Sequence, residues 1–183
     1  MEQHTPPQQF EIEPATEADV VGIGEAQRES WLETYPNSAL GIDESFLKRQ
    51  FEPLTDKKGN DFRLNTVREA SEPDSNVLYL AVKNQQGKIR GFLHIAKHGD
   101  SATFEAIYLT KDAQGTGVAH ELMHRALDFA GHLPMTVNVA DYNGRAIHFY
   151  EDYGFVKQPN TTRIHHEKIP IMTMKRPATK GTI

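Results

Sequence analysis

The sequence has no cysteine, no long apolar run and no excess of basic residues. Without thiols the chain cannot form disulfides, thiolate metal sites or a cysteine nucleophile, and this absence is typical of a reducing compartment. Its apolar runs are all much shorter than the about 20 residues that a membrane-spanning helix needs. We therefore expect neither a disulfide scaffold nor a membrane-spanning helix.

The charge balance limits the class of ligand. Lys and Arg number 20 against 25 Asp and Glu, which gives a formal net charge of −5. This balance disfavours the nucleic-acid backbone and mildly favours cationic small molecules. Residues 1–9 are polar and lack the basic start and apolar stretch of a secretory signal. We therefore expect a cytoplasmic protein with no nucleic-acid and no membrane partner.

The first part of the chain predicts one strand and two helices. Residues 10–15 alternate as a short strand. Thr16 and Asp19 have the spacing of a capping box, which begins a helix that runs toward Tyr35. A second helix is predicted over residues 43–51 because its aromatic and aliphatic side chains recur at helical spacing.

The segment 52–76 is polar and is the most variable-looking part of the chain. Pro53 is predicted to stop the second helix. Residues 57–60 and 72–75 are turn clusters, and a weak helical pattern covers 61–70 between them. This segment is therefore a candidate lid.

The second part alternates strands and helices. The predicted strands cover residues 77–82, 91–96, 102–109, 135–140, 155–158 and 169–174, and the predicted helices cover 118–130 and 143–153. The unit from 102 to 140 must be a right-handed parallel crossover. The order predicts an α/β fold, a mixed sheet of about six to seven strands with helices on both faces. We expect one domain over residues 10–176 with flexible ends at 1–9 and 177–183.

A glycine-bearing turn separates the predicted strand 102–109 from the predicted helix 118–130. It has the sequence Gln114-Gly115-Thr116-Gly117-Val118-Ala119. Such a turn presents unpaired backbone N–H groups to one point, where the helix dipole adds partial positive charge. The two glycines remove side chains that would block close approach. The turn therefore predicts a pyrophosphate site.

Two other nucleotide-binding patterns compete for this turn. The phosphate loop of nucleotide triphosphatases needs Gly, four residues, Gly, Lys and a hydroxyl residue, and no such string is present. The dinucleotide fingerprint needs a third glycine where this chain has His120, although Asp141 could imitate the ribose-binding acid. A dinucleotide-binding protein therefore stays an alternative.

A zinc-protease string also occurs in the following helix. His120, Glu121 and His124 match H-E-x-x-H, but they fall toward the polar side of the helix rather than its apolar stripe. A third ligand would have to come from a residue such as His148 or Glu151. A zinc-dependent hydrolase is thus a minor alternative, and no metal is expected.

Two motifs in order resemble the GNAT superfamily of N-acetyltransferases. Gln114, Gly117 and Ala119 fit its Gln/Arg-x-x-Gly-x-Gly/Ala loop. Residues 143–155 resemble its Asn-x-x-Ala-x-x-Phe-Tyr-x-x-x-Gly-Phe helix. Residues 110–113, which we call the connector, join the strand to this loop and depart from the family at residues 112–113, where Asp-Ala replaces the more usual Glu-Tyr. The resemblance implies a GNAT-like fold with a mostly antiparallel sheet and acetyl-CoA as co-substrate.

The same resemblance implies the residues that hold acetyl-CoA. It also implies that Tyr150 lies near the thioester sulfur and can protonate the thiolate, and that Asn143 contacts the pantetheine arm. Asn143 could at the same time cap its own helix. Backbone N–H groups around Tyr108 and Leu109 would polarise the carbonyl where two parallel strands splay. The implied cofactor contacts are Ile107, Tyr108, Leu109, Gln114, Gly115, Thr116, Gly117, Val118, Ala119, Asn143, Ala146 and Tyr150.

The resemblance also implies that the acceptor is a primary amine of a small molecule or peptide, which attacks directly in a ternary complex. Glu105 is the candidate base, acting through water, with a solvated or salt-bridged strand glutamate as the alternative. Trp31 and Tyr35 are candidates for the amine pocket, although core packing explains them equally well. A non-catalytic sensor that only binds coenzyme A is the alternative function. Homodimers are common in the family, so the resemblance also allows a homodimer.

Overall fold

The structure is a computed structural model that describes residues 10–179, apart from the side chain of Leu54. The predicted flexible segment 1–9 and the last residues of the predicted tail, 180–183, lie outside the described residues. The strands are β1 Phe10–Pro14, β2 Val77–Asn84, β3 Ile89–His98, β4 Ser101–Leu109, β5 Met135–Ala140, β6 Val156–Lys157, β7 Arg163–His165 and β8 Ile169–Arg176. The helices are α1 Val20–Thr34, α2 Glu44–Thr55, α3 Lys57–Ala70, α4 Val118–Ala130 and α5 Gly144–Asp152.

The strands form one mixed sheet in the order β1-β2-β3-β4-β5-β8-β6, and β7 also pairs with β8. Within the described residues the single parallel pair is β4 with β5, and all other pairs are antiparallel. The predicted α/β class and the parallel crossover are confirmed. The eighth strand, β7, is the one that the sequence pattern did not predict.

Helices cover both faces of the sheet because strand side chains alternate between two cores. On β2, Leu80 and Val82 pack in the cluster that contains the buried residues of α4 and α5. Tyr79 and Ala81, from the same strand, pack in the cluster that contains Ile23 of α1. This period of two is what a strand buried on both sides requires.

The predicted end of α2 is wrong. Pro53 lies inside the helix, which continues to Thr55. Proline inside a helix removes one main-chain hydrogen bond and crowds the carbonyl four residues earlier, here that of Arg49. The helix accommodates this loss and ends two residues after Pro53. Among residues 10–179, no helix is long and apolar enough to cross a membrane.

The predicted turn at residues 57–60 is the first turn of α3. Asp56 caps this helix, since its carboxylate accepts a hydrogen bond from Gly59 N at 2.9 Å. Asx capping is favourable enough to begin a helix in a sequence with poor propensity. Gly59, Arg63 and Val67 are buried, so most of the candidate lid is a packed helix.

Candidate active site

A cleft opens where β4 and β5 separate. The parallel register holds for three pairs and ends at Phe104 with Val137, after which β5 pairs with β8 alone. The cleft has a volume of about 400 Å³. It is lined by Ser30, Thr34, Tyr35, Phe104, Glu105, Ala106, Ile107, Tyr108, Leu109, Gln114, Gly115, Gly117, Ala119, His120, Val137, Asn138, Val139, Asn143, Arg145, Ala146, Phe149 and Tyr150.

A β-bulge lies at the point of separation. The β3–β4 register shifts between His94, which pairs with Ala106, and Ile95, which pairs with Phe104, so Glu105 is the extra residue. A bulge re-aims side chains and increases local twist. Glu105 lines the cleft with a side chain that is 42% exposed, and its Oε1 lies 3.3 Å from His98 Nε2.

The free edge of β4 directs two amides toward the cleft. Thr110 N donates to Arg90 O at 2.9 Å, so this amide faces β3. Because amide directions alternate along a strand, the N–H groups of Leu109 and Ile107 face the edge that β5 has left. The prediction named Tyr108 and Leu109 for this purpose, but the Tyr108 amide faces β3.

The glycine turn leaves five consecutive amides free. No main-chain or side-chain acceptor within residues 10–179 receives a hydrogen bond from the N–H groups of residues 115–119. The first α4 amide that is bonded belongs to His120, which donates to Gly117 O at 3.0 Å. Gly115 and Gly117 have φ of +77° and +92°, values that favour glycine. The turn is therefore a preformed cradle for an anion.

Two side chains fix the base of this cradle. Gln114 Nε2 donates to Leu109 O at 2.9 Å, and Arg145 Nη1 donates to Gln114 Oε1 at 2.6 Å. A Cβ placed on Gly115 would lie 4.0 Å from Arg145 Nη2, so the guanidinium stands beside the free amides. Arg145 is not among the residues predicted from the sequence; its place in the first turn of the motif helix was the available signal.

The motif helix α5 places three of the predicted residues along the cleft. Asn143 Oδ1 accepts a hydrogen bond from Ala146 N at 3.1 Å, which is an N-cap. Tyr150 is 4% exposed, and no hydrogen bond to its hydroxyl is formed within the described part of the chain. Burial, with a smaller contribution from neighbouring Tyr108, raises the pKa of Tyr150 above its ordinary value.

The two predicted amine-pocket residues have different positions. Tyr35 lines the cleft, and Tyr142 donates to its main-chain oxygen at 3.0 Å. Trp31 is 4% exposed, does not line the cleft, and packs edge-on against Phe51 at a centroid distance of 4.0 Å. Its ring lies 5.7 Å from that of Tyr108, so it supports the wall of the cleft from behind.

The histidines of the H-E-x-x-H string, His120 and His124, pack against an aromatic side chain. His120 Nδ1 lies 2.7 Å from the Tyr153 hydroxyl, and the His124 ring packs against the same tyrosine. Glu121 accepts a hydrogen bond from Arg125 at 2.9 Å. Across residues 10–179, no group of three or more His, Asp or Glu side chains is arranged to hold a metal ion.

Comparisons with known proteins agree with this geometry. A family model described as the acetyltransferase (GNAT) family matches residues 28–155. The fold is similar to that of the PaiA N-acetyltransferase from Thermoplasma acidophilum in complex with coenzyme A, with 19% identity and a TM-score of 0.76 over 92% of this chain and 99% of that chain. A comparison with curated protein sequences gave no match.

Two further solved structures share the fold. The ribosomal-protein-S18-alanine N-acetyltransferase from Escherichia coli is 17% identical with a TM-score of 0.61, over 95% of this chain and 97% of that chain. Mutant forms of the spermidine/spermine N-acetyltransferase SpeG from Vibrio cholerae are 20% identical with a TM-score of 0.59, over 91% and 93%. Because the family match spans more than half of the 183 residues, the chain belongs to the GNAT family of acetyltransferases, whose general activity is acetyl-CoA-dependent acetylation.

Proposed function

We propose that this protein transfers the acetyl group of acetyl-CoA to a primary amine of a small molecule or peptide, by direct attack in a ternary complex. The observation that carries this proposal is the row of free amides at residues 115–119 beside the gap between β4 and β5. Acetyl-CoA supplies the activated acetyl group, and the protein's own residues bind it, polarise it and move protons. No metal is needed for these steps.

The diphosphate of the co-substrate fits the amide cradle. Free N–H groups at a helix N-terminus bind anions because the donors and the helix dipole act together. Arg145 adds a full positive charge next to Gly115. From there the free edge of β4 runs toward Tyr150, so the amides of Leu109 and Ile107 can bind the pantetheine arm and the acetyl oxygen.

The amine must lose a proton before it attacks. An alkylamine with a pKa near 10.4 is neutral in only about one molecule in 10³ at pH 7, a handicap of about 4 to 5 kcal/mol. Glu105 lines the cleft at the bulge and is open to solvent, which suits a base that acts through water. Tyr150, buried and protonated, is the acid for the departing thiolate.

Replacement of Glu105 by glutamine tests its assignment as the base. We expect kcat/KM at pH 7 to fall by about 100-fold. The loss should shrink as pH rises toward 10, because the amine then deprotonates without help. Initial rates of the wild-type protein and the variant, measured over a pH series, give this loss of kcat/KM at each pH. His98→Ala is the control, since it removes the partner of Glu105 and leaves the carboxylate; an equal loss at every pH would contradict the assignment.

The acceptor end of the cleft is formed by the last turns of α1. The predicted contact Tyr35 lines the cleft together with Ser30 and Thr34, which supports an acceptor site here. Trp31 supports Tyr108 and contributes to the acceptor site through packing. Two of the structurally similar proteins named above are a spermidine/spermine N-acetyltransferase and a ribosomal-protein-S18-alanine N-acetyltransferase. A panel of small-molecule and peptide amines, assayed by release of the free thiol, separates the two classes.

Val118→Pro tests the cradle because it removes one of its free N–H groups. Val118 is the first residue of α4, a position where proline is generally favoured because it lacks only a free N–H. Gly117 before it is left-handed with ψ of −15°, which a following proline disfavours, so the Tm of the variant is measured beside its Kd. Since a hydrogen bond to a charged group contributes about 1.5 to 3 kcal/mol, we expect the Kd for coenzyme A to rise about 10-fold or more. Calorimetric titration measures it. Val118→Ala keeps the amide and is the control; equal Kd values for both variants would refute a role for this donor.

A further inference from the structure

A buried arginine connects the turn before the cradle to two other elements. Arg90, on β3, is 8% exposed. Its Nε and Nη2 donate to Asp112 at 2.9 and 2.7 Å, and its Nη1 and Nη2 donate to Glu29 of α1 at 3.0 and 2.8 Å. One guanidinium therefore forms a bidentate ion pair with each of two carboxylates. This geometry makes arginine–carboxylate pairs specific.

The same arginine contacts the connector through its main chain. Arg90 O accepts the hydrogen bond from Thr110 N at 2.9 Å. Thr110 is fully buried, and its hydroxyl lies 2.6 Å from Asp112 Oδ1. Glu33, one helical turn after Glu29, accepts a hydrogen bond from Lys111 N at 2.7 Å. Residues 110–112 are thus held from β3 and α1 at the same time.

Arg90, Asp112 and Glu29 form a charged cluster in which each side chain stabilises the charge of its partner. Burial alone would raise the pKa of Asp112, but hydrogen bonds from Arg90 and Thr110 outweigh it and lower this pKa below its usual value. The bond to Asp112 contributes most to raising the pKa of Arg90. Without the guanidinium, Asp112 and Glu29 would be two unpaired carboxylates at close range, and repulsion would drive the connector away from α1.

The connector leads directly into the cradle. Ala113 and Gln114 donate their amides to Thr110 O at 2.9 and 3.2 Å, and the Thr116 hydroxyl donates to Ala113 O at 2.7 Å. A displacement of Asp112 would therefore also displace the free amides, which begin three residues later at Gly115. A displacement of about 1 Å is enough to lower the efficiency of a preorganised site by about 100-fold.

We infer that Arg90, through Asp112 and Glu29, is a positioning residue that holds the amides of residues 115–119 in the geometry that binds acetyl-CoA. This inference rests on the proposed function. It also explains why the connector has Asp112 where the family more often has glutamate. An aspartate is short enough to contact both the Arg90 guanidinium and the Thr110 hydroxyl. Arg90 does not line the cleft, so its effect is indirect.

Arg63 provides a matched control. It is equally buried, at 3% exposure, and it also contacts α1, where its Nη2 donates to Gln27 at 3.1 Å. Its other partner is Asn60 on its own helix. Arg63 has no contact with the connector, so Arg63→Met removes a buried arginine without loosening the cradle.

The experiment compares Arg90→Met, Arg90→Lys and Arg63→Met by calorimetric titration with coenzyme A and by ¹⁵N relaxation of the ligand-free proteins. We expect Arg90→Met to weaken binding about 10-fold to 100-fold and to increase motion at residues 110–119, with partial recovery in Arg90→Lys. Arg63→Met should keep the wild-type Kd even if its Tm falls. Should Arg90→Met not fold, Asp112→Ala removes the same contact at the connector.

Two results would overturn the inference: a wild-type Kd and wild-type relaxation in Arg90→Met, or equal weakening in Arg63→Met. Failure of the wild-type protein to bind coenzyme A would instead refute the proposed function. The relaxation contrast between the two arginine variants needs no ligand, so it still decides whether Arg90 holds the connector.

Discussion

Tyr150→Phe is expected to lower kcat by about 100-fold or more, while the Kd for coenzyme A changes by less than about twofold. The ring stays in place, since it packs at the centroid distances of 5.5 Å to Phe155 and 6.1 Å to Phe104. Only the hydroxyl, which would protonate the departing thiolate, is lost. Rapid-quench and steady-state rates give kcat, and calorimetric titration gives the Kd for coenzyme A. Together these measurements show whether kcat falls while the Kd is kept.

Tyr153→Phe is the matched control because it removes a hydroxyl at the end of the same helix. That hydroxyl contacts His120 at 2.7 Å and does not line the cleft, so kcat should stay within about threefold of wild type. A Tyr150→Phe variant with wild-type kcat would exclude the acid role. A large loss in both variants would indicate that helix packing, and not proton transfer, had been disturbed.

The pKa of Tyr150 also predicts a pH profile. Burial raises this pKa above its ordinary value, and an acid with a raised pKa loses its proton only when pH exceeds that higher value. The phenol is therefore protonated across the neutral range, and the wild-type rate should not fall because of Tyr150 below about pH 10. A decline centred near pH 8 that disappears in Tyr150→Phe would contradict this assignment.

Gly91→Ala is expected to lower the free energy of unfolding by about 3 kcal/mol or more. A Cβ at this position would lie 2.6 Å from the carbonyl oxygen of Tyr108 and would also meet the Leu109 side chain. A backbone oxygen cannot move aside as a flexible side chain can, so β3 and β4 must separate. Because β4 carries the Ile107 and Leu109 amides, the remaining folded protein should also lose activity.

Gly144→Ala is the control for this substitution. A Cβ at Gly144 has no neighbour within 4 Å, and alanine is the better helix former. Denaturant unfolding of both variants gives the difference in stability. Equal stabilities for the Gly91 and Gly144 variants would mean that β3 and β4 tolerate a wider spacing than their contact here indicates.

Regular periodicity made most of the fold predictable. Residues 135–140 are predicted and observed as a strand, and the stripe of apolar residues in α4 gives both its start after Gly117 and its stop at Gly131. These signals are local and strong. The parallel crossover then followed from the handedness rule, which placed the glycine turn at the end of β4.

The α2 end and the 57–60 turn were missed for local reasons, but the other misses depend on contacts between distant residues. β7 is three exposed residues that become a strand only by pairing with β8. The bulge at Glu105 follows from the register of β3 with β4. Arg145 and Arg90 gained their places through partners that are 31 and 22 residues away, and no local pattern in a single sequence specifies such pairs.

The most direct test of this account is a ¹⁵N–¹H correlation titration of the wild-type protein with coenzyme A. The account predicts saturable shifts that are largest for the amides of residues 115–119, followed by Ile107 and Leu109. Titration to about 1 mM detects a binding free energy of only about −4 kcal/mol. Unchanged cradle amides at that concentration, or saturable shifts confined to another surface, would contradict it.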